Sequence, residues 1–488
     1  MALLGAQLVI TLVMISIIQK IGPHFSFAKW LICSTGLVRY LYPTNEELRQ
    51  LANIPKDKSK NKRNPKGMAN GKDTPEKFHI DRSLDVTLET AKVTYLDVVH
   101  LRYYSEYQWL VDFSVYASIV YIITEVYNMW FPIKDEVNLS IIWCFLVVLF
   151  AVKLLISLTV QYFRGEESVG ERSTCIVMAF IYLLVAMMVL IIDENTLELG
   201  LESAYSTFNT SASAFLNRQG LSSSGPASKI VIKFFIAIWC SILGAIVTFP
   251  GMRIARMHWD LLRYFRENRV KQLLLNIAFA LPFLLVILWV KPITKDYLTV
   301  RIFAGRTEPI MTEQSFEIAR LLAIFSTIAV KLYLMPWYLQ AYLDMAYHRT
   351  QEQKKEAGRI TNIDFQKKVA AVFYYLCVVA LQYLAPLILC LFFSFIYKTL
   401  GEYQWSWLLS SSNAECSIED EPVIPLPAKV GAEVEPVEEL FLTLESLKSV
   451  FAANVFRGVF GFATWWSCFI YFATTSVGLI YQSYFTVI

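Results

Sequence analysis

Six ionisable side chains lie within long apolar stretches of this sequence, where charges can carry ions or protons or can hold helices together. Charged residues inside a bilayer are costly and usually face the protein interior, water or one another. We predict a charge network that acts either as an ion or proton pathway or as a set of static pairs, with long side chains near helix ends snorkelling to the membrane surface. Its members are Asp112, Glu125, Lys153, Lys233, Arg320 and Lys331.

Depth along the helices limits the partners in this network, because each residue adds about 1.5 Å to a helix. Glu125 lies near a predicted outer end, as do Lys233 and Arg320, so we predict that Glu125 pairs with one of these two bases. Asp112 lies near an inner end and is predicted to pair with one of the two remaining lysines.

A second pattern consists of small residues and concerns helix packing. Ala237, Ser241 and Ala245 recur every four residues in one apolar stretch. Small residues at this spacing let two helices approach closely. We predict that this face contacts another helix.

The sequence lacks the motifs of enzymatic chemistry. All five histidines lie outside the apolar stretches, and no phosphate-binding loop, nucleophile elbow or zinc-protease signature occurs. The eight cysteines form no C-x-x-C pair, and most of them lie in apolar stretches, where they act as small hydrophobic residues. We therefore predict a protein that is not an enzyme and that has no catalytic residues, cofactor or metal site.

The distribution of apolar residues predicts the elements that position these groups. The chain is 56% hydrophobic and only 17% charged. Its apolar residues form blocks of about the 20 residues that a helix needs to cross a bilayer. We predict an all-α fold, a polytopic transmembrane helical bundle of about eight or nine spans with amphipathic interfacial helices.

The predicted organisation divides the chain into consecutive parts. A membrane anchor with an interfacial segment covers 1–41, where Ala2–Ile18 is a retained anchor or, alternatively, a cleaved signal peptide. The other parts are a basic, partly disordered cytoplasmic segment at 42–108, the main bundle at 109–397, an acidic proline-containing outside loop at 398–454, and the last transmembrane helix with the C-terminus at 455–488. Spans of the main bundle are predicted near 109–130, 139–160, 174–192, 230–249, 272–290, 316–334 and 369–397.

The positions of Lys and Arg predict which loops are cytoplasmic, because basic residues concentrate on that side. Tyr42–Gln108, Met252–Lys271 and Met335–Lys368 are the basic loops and are placed inside. The loop with the sequon Asn209-Thr210-Ser211 falls on the opposite side, where a glycosylation acceptor must lie. Asn209 is therefore a candidate for glycosylation.

Two basic segments have alternative interpretations. Pro55–Lys77 has too few apolar residues to bury a core, so it either contacts anionic lipid or is a solvated linker. Gly251–Lys271 has the amphipathic pattern of a helix in the membrane interface, with a helix packed on the membrane domain as the alternative.

Two short patterns predict local structure. Thr361-Asn362-Ile363-Asp364 has the form of a capping box and predicts the start of a helix. Leu84, Val86 and Leu88 alternate with polar residues, which predicts a short strand.

Several long segments carry a resemblance to a known family, namely Glu106–Phe113, Thr248–Gly251, Trp289–Tyr297, Lys355–Ile360, Phe373–Val378, Leu381–Tyr383 and Thr464–Trp466. With them the chain resembles the transmembrane protein 161 family of multi-pass eukaryotic membrane proteins over nearly its whole length. The family has no established catalytic or binding residues to transfer to this sequence.

The resemblance implies a multi-pass membrane protein of the plasma membrane or, alternatively, of endomembranes. Vertebrate members are linked to ion currents and cardiac rhythm and to protection against cellular stress. The resemblance thus favours a non-enzymatic protein that modulates ion-channel currents and cell excitability, including cardiac rhythm, with the lipid bilayer and ion-channel subunits as partners and no nucleic acid. The alternatives are an ion or small-solute transporter or channel that uses the in-membrane charges, and a membrane factor in cellular stress protection.

Overall fold

The computed structural model describes residues 6–22, 24–54, 77–130, 138–164, 169–218, 228–303, 309–356, 358–403, 405 and 450–485. Most of the basic stretch at 55–77 and of the acidic loop at 398–454 therefore lies outside the described residues.

The described residues are mainly helical, as the apolar blocks predict. In chain order the helices are α1 (Ala6–Ile21), α2 (Phe27–Cys33), α3 (Asn45–Leu51), α4 (Tyr95–Val99), α5 (Tyr104–Trp130), α6 (Ser140–Arg164), α7 (Val169–Ile191), α8 (Leu201–Arg218), α9 (Lys229–Tyr264), α10 (Arg269–Ile287), α11 (Glu313–Lys355), α12 (Asn362–Tyr374), α13 (Leu376–Leu400) and α14 (Ala453–Phe485), with a π-helical turn at Asp296–Val300. The strands are β1 (Val38–Tyr40), β2 (His79–Asp81), β3 (Thr90–Lys92) and β4 (Arg359–Thr361).

Within the described chain, seven helices are long and apolar enough to cross a membrane. They are α5, α6, α7, α9, α10, α11 and the stretch formed by α12 and α13, and they correspond to the spans predicted for the main bundle. Helix α14 has 33 residues but is rich in Trp, Tyr and Thr, and it is not among these seven. Helix α1 has 16 residues, about 24 Å of helix against a bilayer core of about 30 Å.

Helix α13 lies at the centre of the bundle. The most apolar window of the α12–α13 stretch is 94% buried. Helix α13 contacts α5, α6, α9, α11 and α14, and a helix surrounded by others must be apolar on all sides. The long apolar run of this segment therefore reflects burial in protein as well as in lipid.

Helices α9 and α11 are longer than their predicted spans. They have 36 and 43 residues, or about 54 Å and 64 Å at 1.5 Å per residue. Each therefore extends well beyond a bilayer core of about 30 Å.

The prediction of a separate interfacial helix at Gly251–Lys271 is wrong, because α9 continues through this segment to Tyr264. Ile254, Met257 and Leu261 on its apolar face are buried in the protein core. The amphipathic pattern thus reports packing against the bundle, which was the alternative interpretation.

Segments that were predicted to be cytoplasmic meet at one end of the bundle. Strand β1 pairs with β3 and strand β2 with β4, both antiparallel. Thr361 caps α12 as predicted, since its hydroxyl accepts a hydrogen bond from the Asp364 N–H at 3.2 Å. The prediction of a strand at 84–88 is wrong, because these residues lie between β2 and β3 and belong to neither strand.

Helices α9 and α14 pack closely because glycines lie between them. A Cβ atom at Gly251 would collide with Thr474, and one at Gly478 would lie 2.7 Å from the Cβ of Ala255. The indole N–H of Trp466 donates to the Cys240 carbonyl at 3.2 Å. These contacts fix the position of α14 against the rest of the bundle.

Candidate functional site

A group of buried and half-buried charges lies at the N-terminal end of α11. Arg320 donates to both carboxylate oxygens of Glu317, at 3.0 and 2.9 Å, and to Glu198 at 3.0 Å. Lys295 donates to Glu198 at 2.7 Å. In this Arg320 cluster (Glu198, Lys295, Glu317 and Arg320) two cations face two carboxylates, so the buried charge is balanced.

Local structure explains how the members of the cluster are positioned. Thr312 caps the start of α11, which places Glu317 and Arg320 one turn apart on the same helix face. The backbone N–H of Glu198 donates to the Trp289 carbonyl at 2.9 Å. The Arg320 guanidinium lies 4.5 Å from the centroid of the Trp289 ring, in the geometry of a cation–π contact.

The pKa values of the two cluster members that lie outside the spans, Glu198 and Lys295, are shifted in opposite directions. Burial raises the pKa of Glu198, but the Arg320 and Lys295 cations outweigh it and hold this pKa below its usual range. Burial lowers the pKa of Lys295, but the carboxylates, Glu198 above all, outweigh it and raise this pKa. Both groups are therefore charged at neutral pH.

Hydrogen bonds connect the Arg320 cluster to α13 and α14. The Tyr397 hydroxyl donates to Glu317 at 3.1 Å and lies 2.9 Å from the Tyr403 hydroxyl. Arg457 lies 5.1 Å from the centroid of the Tyr403 ring and donates to the Gly401 carbonyl at 2.6 Å. One polar network thus joins the ends of several helices.

A second buried pair joins α5 to α13. Lys398 donates to the Glu125 carboxylate, which also accepts hydrogen bonds from the Trp405 indole at 3.2 Å and from the Thr399 hydroxyl at 3.3 Å. The side chains of Lys398 and Glu125 are 9% and 10% exposed. The pair therefore sits inside the protein and ties two spans together.

Depth matching predicts Lys233 or Arg320 as the partner of Glu125. This prediction is wrong, because the partner is Lys398. Lys398 directly follows the predicted span 369–397, so it was assigned to the outside loop. Helix α13 continues to Leu400, which brings this lysine into the bundle. The signal that could have identified it is its position next to the apolar run.

Asp112 caps a helix. Its carboxylate accepts hydrogen bonds from the Ser26 hydroxyl at 2.7 Å and from the Ala28 N–H at 2.9 Å, at the start of α2. A carboxylate there satisfies free N–H groups and complements the helix dipole. Among the residues that the structure describes, Asp112 forms no salt bridge, so the predicted pairing with Lys153 or Lys331 does not occur.

Lys233 and Lys153 lie towards the bundle surface. The Lys233 ammonium donates to the Leu190 carbonyl at 2.8 Å and lies 3.7 Å from Glu202. Lys153 is exposed on α6 and, within the described ranges, forms no salt bridge. The structure therefore separates the predicted network into a cluster, a pair, a cap and surface lysines.

Lys331 is deeply buried and differs from these charges. Its side chain is 2% exposed, and no carboxylate of the described chain lies within salt-bridge distance. Its ammonium lies 5.3 Å from the centroid of the Tyr471 ring, and its backbone carbonyl accepts the Tyr383 hydroxyl at 2.7 Å. Nearby, the Nδ1 atom of His258 and the Tyr338 hydroxyl are hydrogen-bonded at 2.9 Å. Lys331 thus lies among aromatic side chains on α9, α11, α13 and α14.

The predicted small-residue face contacts α7. The Ser241 hydroxyl donates to the Ala179 carbonyl at 2.7 Å. Ala237 is buried and Ala245 is half-buried. Gly244 also lies against α7, where an added Cβ would collide with the Tyr182 side chain. The spacing thus identifies the right face of α9, and Gly244 belongs to this contact although it is outside the predicted set.

Asn209 lies in α8, a helix between the candidate spans α7 and α9 that is not itself among the seven. Its side chain is half-buried. Whether it carries a glycan stays a prediction. In the part of the chain that the structure describes, no group of three His, Cys, Asp or Glu side chains is placed to hold a metal ion.

The chain matches the model of a known protein family. The family model described as predicted transmembrane protein 161AB matches residues 2–486. No solved structure matches the chain.

Proposed function

Because the chain belongs to the transmembrane protein 161 family, we propose that it is a non-enzymatic membrane protein that modulates ion-channel currents and thereby cell excitability, including cardiac rhythm. Ion-channel subunits in the same bilayer are its proposed partners. The observation that carries the proposal is that the buried carboxylates Glu317 and Glu125 are each paired with a cation of the same chain.

Buried ion pairs whose partners lie in the same chain favour a structural role for these charges over a role in conducting ions. An ion path needs polar groups that face water and exchange partners along it. The Arg320–Glu317 and Glu125–Lys398 pairs are buried, and removing one partner of such a pair leaves an uncompensated charge in a medium of low dielectric constant. These charges therefore support the static-pairing interpretation, in which the protein acts on currents by contacting a channel.

Two measurements test this proposal together. Liposomes that contain the purified full chain should leak K⁺ and Cl⁻ no faster than protein-free liposomes. Expression of the chain in excitable cells should change whole-cell current amplitude. Arg320→Met, which breaks the cluster, should abolish this change, whereas Lys229→Met, which removes one partner of an exposed ion pair, should preserve it. Flux from the protein alone, or unchanged currents, would contradict the proposal.

A transporter or channel of ions or small solutes is the second candidate, and Lys331 is the observation that favours it. A buried lysine without a carboxylate partner in the described chain is the kind of in-membrane charge that marks ion or proton pathways. If this candidate holds, liposomes should show flux, and Lys331→Met should abolish it while Lys229→Met leaves it unchanged.

We further propose that the protein acts at the plasma membrane, since modulation of cell-surface currents requires it to reach the channels there. Surface biotinylation of intact cells should label the full chain. Complete retention in endomembranes would contradict this location.

A further inference from the structure

A groove of about 520 Å³ opens on the outer face of α5 and α6. Trp109 and Leu146 in its wall are 64% and 50% exposed. Both helices are long and apolar enough to cross a membrane, so this face meets lipid. The groove is lined by Ser105, Glu106, Trp109, Phe113, Leu146 and Phe150.

The register of the two helices brings a lysine to the polar end of the groove. The rings of Trp109 and Phe150 lie 6.3 Å apart, and those of Phe113 and Trp143 lie 5.6 Å apart, so α5 and α6 run antiparallel. Glu106 lies one turn before Trp109, and Lys153 lies one turn after Phe150. Residues three apart on a helix are neighbours on its surface, so the acid and the lysine flank the same end of the groove.

Both charges are available to a ligand. Glu106 accepts a hydrogen bond from the neighbouring Ser105 hydroxyl at 2.9 Å, and Lys153 is exposed. In the described part of the chain neither forms a salt bridge, whereas Glu125, Arg320 and Lys398 do. Two opposite and unpaired charges at the rim of an apolar groove complement a zwitterion.

The order of polarity along the groove matches that of a phospholipid. Glu106 lies in the first turn of α5, at the end of the span, whereas Phe113 and Leu146 lie deeper. In a zwitterionic phospholipid the ammonium and phosphate groups form the headgroup, and the acyl chains lie deepest. The lysine side chain is long enough to extend from within a span towards the headgroups, and tryptophan favours that level.

We propose that this groove binds phosphatidylethanolamine, with the ammonium on Glu106, the phosphate on Lys153 and an acyl chain along Phe113, Leu146 and Phe150. A primary ammonium donates charge-assisted hydrogen bonds to a carboxylate. Choline has no N–H donor and is recognised by an aromatic cage, whereas the groove's rings pack on one another. An anionic headgroup without an ammonium would be repelled by Glu106. This site is independent of the proposed action on channels.

Native mass spectrometry of the purified full chain tests the proposal. The protein is mixed with equal amounts of phosphatidylethanolamine, phosphatidylcholine and phosphatidylglycerol. We expect retention of phosphatidylethanolamine to exceed that of either other lipid at least fivefold. Equal retention of the three lipids, preference for either other lipid, or no retained lipid would overturn the proposal.

Variants locate the site. Glu106→Gln, Lys153→Met and Trp109→Ala should each reduce the preference at least fivefold. Trp130→Ala, which replaces a similarly exposed tryptophan (72%) at the other end of α5, should leave the preference unchanged. Unchanged preference in the single charge variants would overturn the proposal. These positions lie on the outer surface, and an unchanged melting temperature (Tm) will verify that each variant is folded.

Discussion

The Glu125 carboxylate and the Lys398 ammonium are each other's charged partners within the described chain, and both are buried. Such a pair adds little net stability relative to an apolar pair, but removing one partner typically costs about 3–5 kcal/mol, because the other charge stays buried. At the scale of single residues this asymmetry separates a structural pair from a functional charge.

We therefore expect Glu125→Gln and Lys398→Met each to lower the Tm of the purified protein in detergent, and the double variant to recover most of the loss. Thermal unfolding followed by intrinsic fluorescence will measure this. Lys229→Met is the matched control, because its pair with Glu202 is exposed, and such pairs contribute about 0–1 kcal/mol. A double variant no more stable than the worse single variant would show that the charges do not depend on each other.

Glu198 predicts a dependence of stability on pH. Its pKa is held below its usual range, so its contribution is fully present above the unfolded-state pKa of about 4.3 and is lost as pH falls through the folded-state value. Glu198→Gln should lower the Tm at pH 7, and the gap to the unmodified protein should shrink below about pH 4. A gap that is constant from pH 7 to pH 3 would show that Glu198 does not contribute in this way.

At the scale of elements, helix separation depends on which residues face the partner helix. Gly251 on α9 and Gly478 on α14 lie where any side chain would collide with the facing helix. Trp466 donates to a carbonyl on α9, so the two helices are joined by polar contacts as well as by close packing.

Gly251→Ala and Gly478→Ala should each destabilise the protein by about 1–3 kcal/mol, the typical cost of overpacking. Gly170→Ala is the matched control, because it is also a helical glycine but has nothing within 4 Å of the added Cβ. The control should be neutral or stabilising by up to about 1 kcal/mol, since alanine favours helix over glycine. Detergent Tm values for the three variants test this, and equal effects at all three positions would mean that helix propensity, not helix contact, determines the result.

At the scale of the whole molecule, the loops sort into two ends. Strand pairing joins residues 38–40 to 90–92 and residues 79–81 to 359–361 at one end. The Arg320 cluster joins Glu198, Lys295 and the start of α11 at the other end. These groups agree with the two sets of loops separated by the Lys and Arg distribution. Which end faces the cytoplasm stays a prediction from the positive-inside rule.

Cysteine labelling in intact cells tests the orientation. We expect an impermeant maleimide to label Ser206→Cys, which is exposed on α8, and not Glu267→Cys, which is exposed after α9, until the cells are permeabilised. The unmodified chain provides the background from its own cysteines. Labelling of position 267 in intact cells would reverse the predicted orientation.

The sequence by itself determined the spans of the main bundle and the start of α12. A helix that crosses a bilayer core must have a certain length and apolarity, and both can be read from a window of consecutive residues. The Thr361 cap depends on residues only three positions apart. Both properties are local, so no knowledge of the packed bundle is needed to predict them.

Only the tertiary structure decided which charges meet. Depth along a helix supplies one coordinate, whereas contact also depends on the rotation of each helix and on its neighbours. Packing set both of these when it placed Lys398 beside Glu125 and α2 beside Asp112. Packing also buried the apolar face of the C-terminal part of α9 against protein. The amphipathic pattern alone is equally compatible with burial in lipid. An apolar side chain is favoured by either environment, so only the arrangement of the helices distinguishes them.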